Sequence, residues 1–236
     1  ALSAKGDTTF RTGLYGDGTS VDDLSEHSFR LYCLDARTGK ILWERELHRG
    51  VPAVRRHLKS SLANATPATD GKQVVVLIGS VGLLASYDMA GQKLWQRDIG
   101  ILDCNDPQSG SAEWGHASSP ILYDDLVVVQ GDRREHSFVG AYRLADGEQV
   151  WRMARDETST WATPNIVRAA SGDELVTNGR VIRSYEPRTG RLLWTLGPNS
   201  EVVVATPVVG EGKAFITAGY PPVRPIYAIR PGHRGD

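Results

Sequence analysis

In four places a tryptophan follows a glycine at a spacing of four residues: Gly39/Trp43, Gly91/Trp95, Gly147/Trp151 and Gly190/Trp194. Each pair closes a longer phrase, LDARTGKILW, YDMAGQKLW, YRLADGEQVW and YEPRTGRLLW. A second phrase, Ser/Thr-Pro, alternates with it at Thr66-Pro67, Ser119-Pro120, Thr163-Pro164 and Thr206-Pro207. The next tryptophan lies 28, 31 and 30 residues beyond the first three of these prolines. Self-similarity at such a period means that each repeat is one supersecondary unit, unable to bury its apolar face until neighbours stack on it.

The units read as strands. The second holds the β-branched run Lys72–Ile78, then Gly82–Tyr87, then Lys93–Gln96; the third and fourth repeat the pattern at Leu126–Val129, Phe138–Leu144 and Glu148–Arg152, and at Glu174–Thr177, Val181–Tyr185 and Arg191–Thr195. The short apolar stretch after each proline adds a fourth strand, and no helical period lasts beyond a turn. The glycine of each phrase suits a hairpin position with φ > 0, which a Cβ would strain. Four antiparallel strands per unit, repeated radially, are blades of a β-propeller, so the chain is expected to be an all-β β-propeller domain over residues 1–236. Its blades are expected at 66–95, 119–151 and 163–194, with partial ones at 1–43 and 206–236. Either the two partial blades combine, or the chain is an incomplete portion of a larger ring. Trp43, Trp95, Trp151 and Trp194 are read as structural, sealing one blade against the next, because a binding site is made once and these recur four times.

Composition narrows the function. Lys+Arg 27 against Asp+Glu 28 gives a formal charge of -1, which points to no nucleic-acid partner and no anionic membrane surface. No apolar stretch reaches the roughly 20 residues a transmembrane helix needs. Two cysteines make no disulfide framework; Cys33 is expected in a core strand and Cys104 in a loop. The given sequence begins at Ala1, not Met, and no signal peptide is expected within it.

At these residues the chain resembles the PQQ-like (pyrroloquinoline-quinone-like) β-propeller repeat family, whose blade signature, the tryptophan-docking motif, is best kept at Leu34–Gly39 through Trp43. The runs RHLKSSLANATP (Arg56–Pro67), EWGHASSP (Glu113–Pro120), STWATP (Ser159–Pro164) and PIYAIRPG (Pro225–Gly232) look like a secreted bacterial branch of it. That resemblance implies a periplasmic or secreted place. It also joins two roles. Quinoprotein alcohol dehydrogenases of the superfamily hold PQQ with Ca²⁺, a catalytic aspartate and commonly an adjacent cysteine pair. The propeller lipoprotein of outer-membrane-protein assembly binds protein partners and catalyses nothing. Cys33 and Cys104 are 71 residues apart, and no acidic Ca²⁺ and catalytic set maps onto the sequence. No cofactor and no catalytic residue is therefore expected; the alternatives are a PQQ- and Ca²⁺-dependent oxidoreductase and a carbohydrate-associated protein.

Loop lengths suggest where specificity resides. From each tryptophan to the next proline the links are 24, 25, 13 and 13 residues long, so the first two carry excess chain over one face. The first excursion, Glu44–Ala65, is basic, with His48, Arg49, Arg55, Arg56, His57 and Lys59 ahead of Asn64. The second, Gln96–Ser118, is acidic and then aromatic, with Asp103, Asn105, Asp106, Glu113, Trp114 and His116. The third link supplies Glu157 and Trp161. The two excursions are expected to touch, drawn by opposite charge. Trp114, His116, Trp161, Asn64 and Arg56 are the candidate ligand contacts, either for a protein partner or for a small molecule or glycan at one propeller face. Trp114 and Trp161 stand outside the Gly-x-x-x-Trp phrase and either stack on a ligand or plug the channel. His116 is a structural histidine or, beside Ser118 and Ser119, a base. Asp103 and Asp106 offer oxygen ligands without the spacing of a calcium loop, so no metal site is expected.

Overall fold

Alternation of β-branched and small residues between positive-φ glycines sets the strands, and short hairpins pair them in order. The computed structural model describes residues 20–21, 25–57, 60–104, 113–220 and 223–235. The chain divides into two compact units, Ala1–His116 and Ala117–Asp236.

In the first unit β1 (Ser20–Val21) precedes the hairpin β2 (His27–Leu34) and β3 (Ile41–Gly50), and β4 (Arg56–His57) pairs back onto β1. A four-stranded antiparallel sheet follows, β5 (Ala68–Thr69), β6 (Gln73–Ile78), β7 (Leu83–Asp88) and β8 (Lys93–Asp98), with strands in chain order. The core joins the two sheets through Phe29, Leu31, Val76, Ile78 and Ala85.

The second unit repeats the design. One sheet is β9 (Ile121–Tyr123), β10 (Leu126–Gly131), β11 (Phe138–Arg143) and β12 (Gln149–Ala154); the next is β13 (Asn165–Val167), β14 (Glu174–Thr177), β15 (Ile182–Tyr185) and β16 (Leu192–Leu196). The last has three strands, β17 (Val208–Gly210), β18 (Lys213–Thr217) and β19 (Ile226–Ile229). The protein is all-β, built from four-stranded antiparallel sheets of the propeller-blade kind.

Spacing within the Gly-x-x-x-Trp phrase has a local cause. The register shifts beside the tryptophan strand at the same place in four sheets, between Cys33/Leu34, Ser86/Tyr87, Ala141/Tyr142 and Ser184/Tyr185. The extra residue is the one before the tryptophan, and such a bulge re-aims the side chain that follows. Gly39, Gly91, Gly147 and Gly190 all have φ between 68° and 78°, the left-handed region. At two of them a Cβ would also collide with an indole: at Gly91 it would lie 2.7 Å from the Trp43 ring, and at Gly190 2.5 Å from that of Trp151. Trp43 thus lies on the turn of the following sheet, its Nε1–H donating to the Met89 carbonyl at 2.9 Å, and Trp151 Nε1–H donates to that of Pro187 at 3.0 Å. Trp95, Trp151 and Trp194 are buried, whereas Trp43 is only half-buried. Trp194 differs in its partner, donating to the buried Glu174 carboxylate at 2.7 Å.

Each Ser/Thr-Pro phrase lies just before the first strand of its sheet rather than within it. A proline has no N–H for a ladder, and its neighbours use theirs differently. The Ser119 N–H donates to the Thr163 hydroxyl at 2.9 Å, and the Thr163 N–H to that of Thr206 at 3.3 Å. The phrase therefore ties the first strands of successive sheets, as the indole ties the outer ones. Among the cysteines it is Cys104, in a loop, that is buried, while Cys33 is half-buried near the end of β2; the two do not form a disulfide.

Trp151→Ala should lower stability by about 3–5 kcal/mol, the range for truncating a buried large aromatic. Chemical denaturation measures it, and a loss under about 1 kcal/mol would show that the ring does not hold the sheets together.

Candidate functional site

In the first unit the two long excursions meet, through a ring stack and hydrogen bonds. The His57 ring, fully buried in β4, stacks on Trp114 at 3.9 Å between centroids and 20° between planes. The Ser60 hydroxyl donates to the Trp114 carbonyl at 2.7 Å. The Asn64 amide holds both sides: its Oδ1 accepts from the Ser61 N–H, and its Nδ2 donates to the Ser60 hydroxyl at 2.9 Å and to the His116 carbonyl at 3.1 Å. Arg56 turns back on its own loop, toward the carbonyls of His57 and Ser60.

His116 is buried, and its ring occupies the space over Gly79 where a Cβ would come within 2.7 Å of it. Gly115, at φ 77°, makes the turn between the two aromatic side chains. Part of the first excursion is strand: β3 continues to Gly50, so His48 and Arg49 belong to the hairpin. The reason is β2, whose eight residues pair with β3 as far as the His27–Gly50 step. Lys59, Asn105 and Asp106 lie outside the described residues, and Asp103 is half-buried in the second loop.

The second unit holds a buried polar network that joins β10, β12, β14 and the links after them. Arg155 and Asp132 form an ion pair with both side chains fully buried, Nε to Oδ1 at 2.7 Å and Nη2 to Oδ2 at 3.1 Å. Burial alone would push the Arg155 pKa down; the Asp132 charge outweighs it and raises it, so the guanidinium stays charged. Asp132 Oδ2 also accepts from the Thr160 hydroxyl at 2.6 Å and from Gln130 Nε2 at 2.7 Å. Arg155 spends Nη1 on the Thr177 hydroxyl at 2.7 Å and the Tyr185 hydroxyl at 3.0 Å. Beside it the buried Glu157 carboxylate accepts from the N–H groups of Arg180 and Val181, at 3.0 and 3.1 Å, and from Arg183. Gly179 leaves the room, since a Cβ there would lie 2.9 Å from Glu157 and 3.1 Å from the Arg155 guanidinium.

Trp161 sits next to this network, half-exposed between buried Thr160 and Ala162. Thr160 is pinned to Asp132, and the Trp161 N–H donates to the Val203 carbonyl at 2.9 Å. Of the sequence candidates, the structure brings Trp114, His116, Asn64 and Arg56 together in the first unit and places Trp161 in the second. The Asp132–Arg155 pair escaped the sequence reading. A signal for it existed: the residues just before Gly79, Gly131, Gly179 and Gly219 are Ile78, Gln130, Asn178 and Ala218, so two successive repeats place an amide where the others are apolar. Both amides are fully buried.

The family model described as outer membrane protein assembly factor BamB, a PQQ-like repeat model, matches residues 24–135 and again 135–226. The chain belongs to this family. Among solved structures it is similar to BamB from Moraxella catarrhalis, at 16% identity and a TM-score of 0.51 over 80% of this chain and 52% of that one. It is similar as well to the quinohemoprotein alcohol dehydrogenase of Comamonas testosteroni, at 14% identity and a TM-score of 0.54 over 88% of this chain and 39% of that one. At these identities the likeness is one of fold. A curated relative, tetrathionate hydrolase of Acidithiobacillus ferrooxidans, is 23% identical over 209 residues, 79% of this chain and 37% of the relative. The chain thus spans between about a third and a half of the proteins it matches.

A BamB-family propeller with quinoprotein neighbours raises the question of a calcium-held quinone. Among the described residues no group of three or more His, Cys, Asp or Glu could hold a metal ion. The buried carboxylates Asp132 and Glu157 are filled by arginine and N–H donors, and the two cysteines lie apart in a strand and a loop.

Asp132→Ala strands a buried guanidinium and should cost about 3–5 kcal/mol, whereas Asp132→Leu with Arg155→Met removes both charges and should cost much less. Urea denaturation of the two variants gives the comparison; equal losses would mean that the pair acts only through its packing.

Proposed function

We propose that this chain is a non-catalytic, extracytoplasmic binding and scaffold module that offers its loops to a protein partner. The observation that carries the reading is the internal closure of the buried charges: Arg155 satisfies Asp132, and Arg183 and two N–H groups satisfy Glu157. General acid–base or nucleophilic chemistry needs a group poised for substrate, and these are occupied by each other. What remains for a partner is aromatic: Trp161 on a link pinned at Thr160 and Val203, and Trp114 held by His57 and Ser60. Rigid aromatic side chains on immobile loops are the usual anchors of protein interfaces. The indoles of Trp43, Trp95, Trp151 and Trp194 dock blades in this reading and take no part in binding.

Family membership supports the same side, since the matching description is of an outer membrane protein assembly factor. A periplasmic or secreted location goes with it. No helix among the described residues is long and apolar enough to cross a membrane.

Titration of the protein with PQQ and Ca²⁺ should show no stoichiometric binding and no alcohol-dependent dye reduction; substrate-dependent turnover would overturn the reading in favour of an oxidoreductase. Trp161→Ala should weaken retention of a periplasmic protein partner tenfold or more, read by photo-crosslinking from neighbouring position 158, with the melting temperature within about 2 °C of the parent. Unchanged crosslinking would remove Trp161 from the interface.

A further inference from the structure

The joint between β12 and the turn ahead of β16 is closed by a second side chain besides the indole. Met153 pairs with Val139 where Trp151 pairs with Ala141, so the two side chains share a face of β12. A Cβ on Gly190 would lie 2.9 Å from Met153 Cγ and 2.5 Å from the Trp151 ring, so both cover the same turn. Met153 is nevertheless 38% exposed, and solvent reaches this rim of the contact. The corresponding joint in the first unit is closed by different chemistry. Two residues beyond Trp43 stands Arg45, whose Nε and Nη2 donate to the Gly91 and Ala90 carbonyls and whose guanidinium lies 5.6 Å from the Trp43 ring centroid. One repeat seals its turn with a hydrogen-bonded guanidinium, the other with a thioether.

The sequence has only two methionines, and the second supplies an internal comparison. Met89 is 46% exposed, and what it gives the Trp43 joint is its backbone carbonyl, which accepts from the indole N–H. The two are matched in access and differ in what they contribute. Oxidation turns a flexible apolar thioether into a polar sulfoxide. At Met89 the carbonyl is left as it was. At Met153 the new oxygen meets N–H groups that are already spent: Trp151 Nε1–H donates to the Pro187 carbonyl, and the Gly190 N–H to that of Glu186 at 2.9 Å. A polar group held against apolar surface without a donor is unfavourable. The oxidised side chain therefore turns to water and uncovers the indole.

We propose that Met153 is an oxidation site at which a peroxide loosens the joint between these two sheets. The sulfur lone pair attacks one peroxide oxygen; an S–O bond forms and the O–O bond breaks. The leaving hydroxide takes the proton of the transferred oxygen and departs as water. Sulfur loses two electrons and the peroxide gains them. A sulfoxide reductase fed by a dithiol reverses the step, releasing water and a disulfide. The site goes beyond the partner reading and does not use it, since Met153 lies on the outer strand β12 and Trp161 on the link that follows.

The probe is hydrogen peroxide added to the intact protein, with peptide mass mapping of methionine, cysteine and tryptophan oxidation. Met89 and Met153 should each gain one oxygen. The urea midpoint should then fall by about 0.5 M or more, the order expected of a moderately destabilising point change. It should return when the two epimer-specific sulfoxide reductases and a dithiol are added. Met153→Leu, which puts there the residue found at Leu196 in the next repeat, should hold its midpoint through the same treatment while Met89, Cys33 and Cys104 remain oxidisable. Met153→Gln, which brings a polar acceptor to the joint without an oxidant, should begin with a lowered midpoint. An unmodified Met153 beside a fully oxidised Met89, a midpoint that does not move as Met153 sulfoxide forms, or an equal fall in the Met153→Leu protein overturns the site. Where the leucine variant is itself unstable, the reductase step decides: a midpoint that stays low once Met153 is reduced again overturns it as well.

Discussion

An indole lying flat on a left-handed glycine turn is the contact on which the architecture depends. A single sheet of four short strands leaves a face uncovered and cannot persist alone. The contact of Trp43 with Gly91, and of Trp151 with Gly190, joins one sheet to the next at the outer strand. It needs three things together. The glycine must adopt positive φ, it must lack a Cβ where the ring lies, and the bulge before the tryptophan must turn the indole outward. Any one of these alone would tolerate substitution; at the Trp43–Gly91 and Trp151–Gly190 contacts the three coincide.

The inner strands are joined by a different chemistry. Ser119, Thr163 and Thr206 hand hydrogen bonds from one sheet to the next through hydroxyl and N–H groups placed just ahead of a proline. The two phrases alternate in sequence because each sheet needs one joint at either side.

Between these joints the second unit buries a full ion pair. Removing two charges from water costs several kcal/mol each; hydrogen bonds donated to Asp132 by Thr160 and Gln130, and accepted from Arg155 by Thr177 and Tyr185, offset part of that. An apolar pair of equal volume would serve stability as well. What the polar network adds is geometry: Arg155 follows β12, Thr177 ends β14 and Thr160 lies in the link between the two sheets, so a shift of either sheet would break several bonds at once. The Trp161 backbone inherits that rigidity.

Much of this was legible in the residues. The period of the Gly-x-x-x-Trp and Ser/Thr-Pro phrases determined the strand order, the all-β class and the positive-φ turns at Gly39, Gly91, Gly147 and Gly190, because glycine conformation and β-branched runs are local properties. The meeting of the two excursions was also anticipated, though from charge, whereas the His57–Trp114 stack and the Asn64 bridge make the contact. Only the tertiary structure decided the rest. It put Cys104 inside and Cys33 at half depth, extended β3 through His48 and Arg49, and set Arg155 on Asp132 across 23 residues of sequence. Those outcomes depend on which side chains the packing of whole sheets brings face to face, and a linear pattern records the period of a fold but not the partner that each buried group finds.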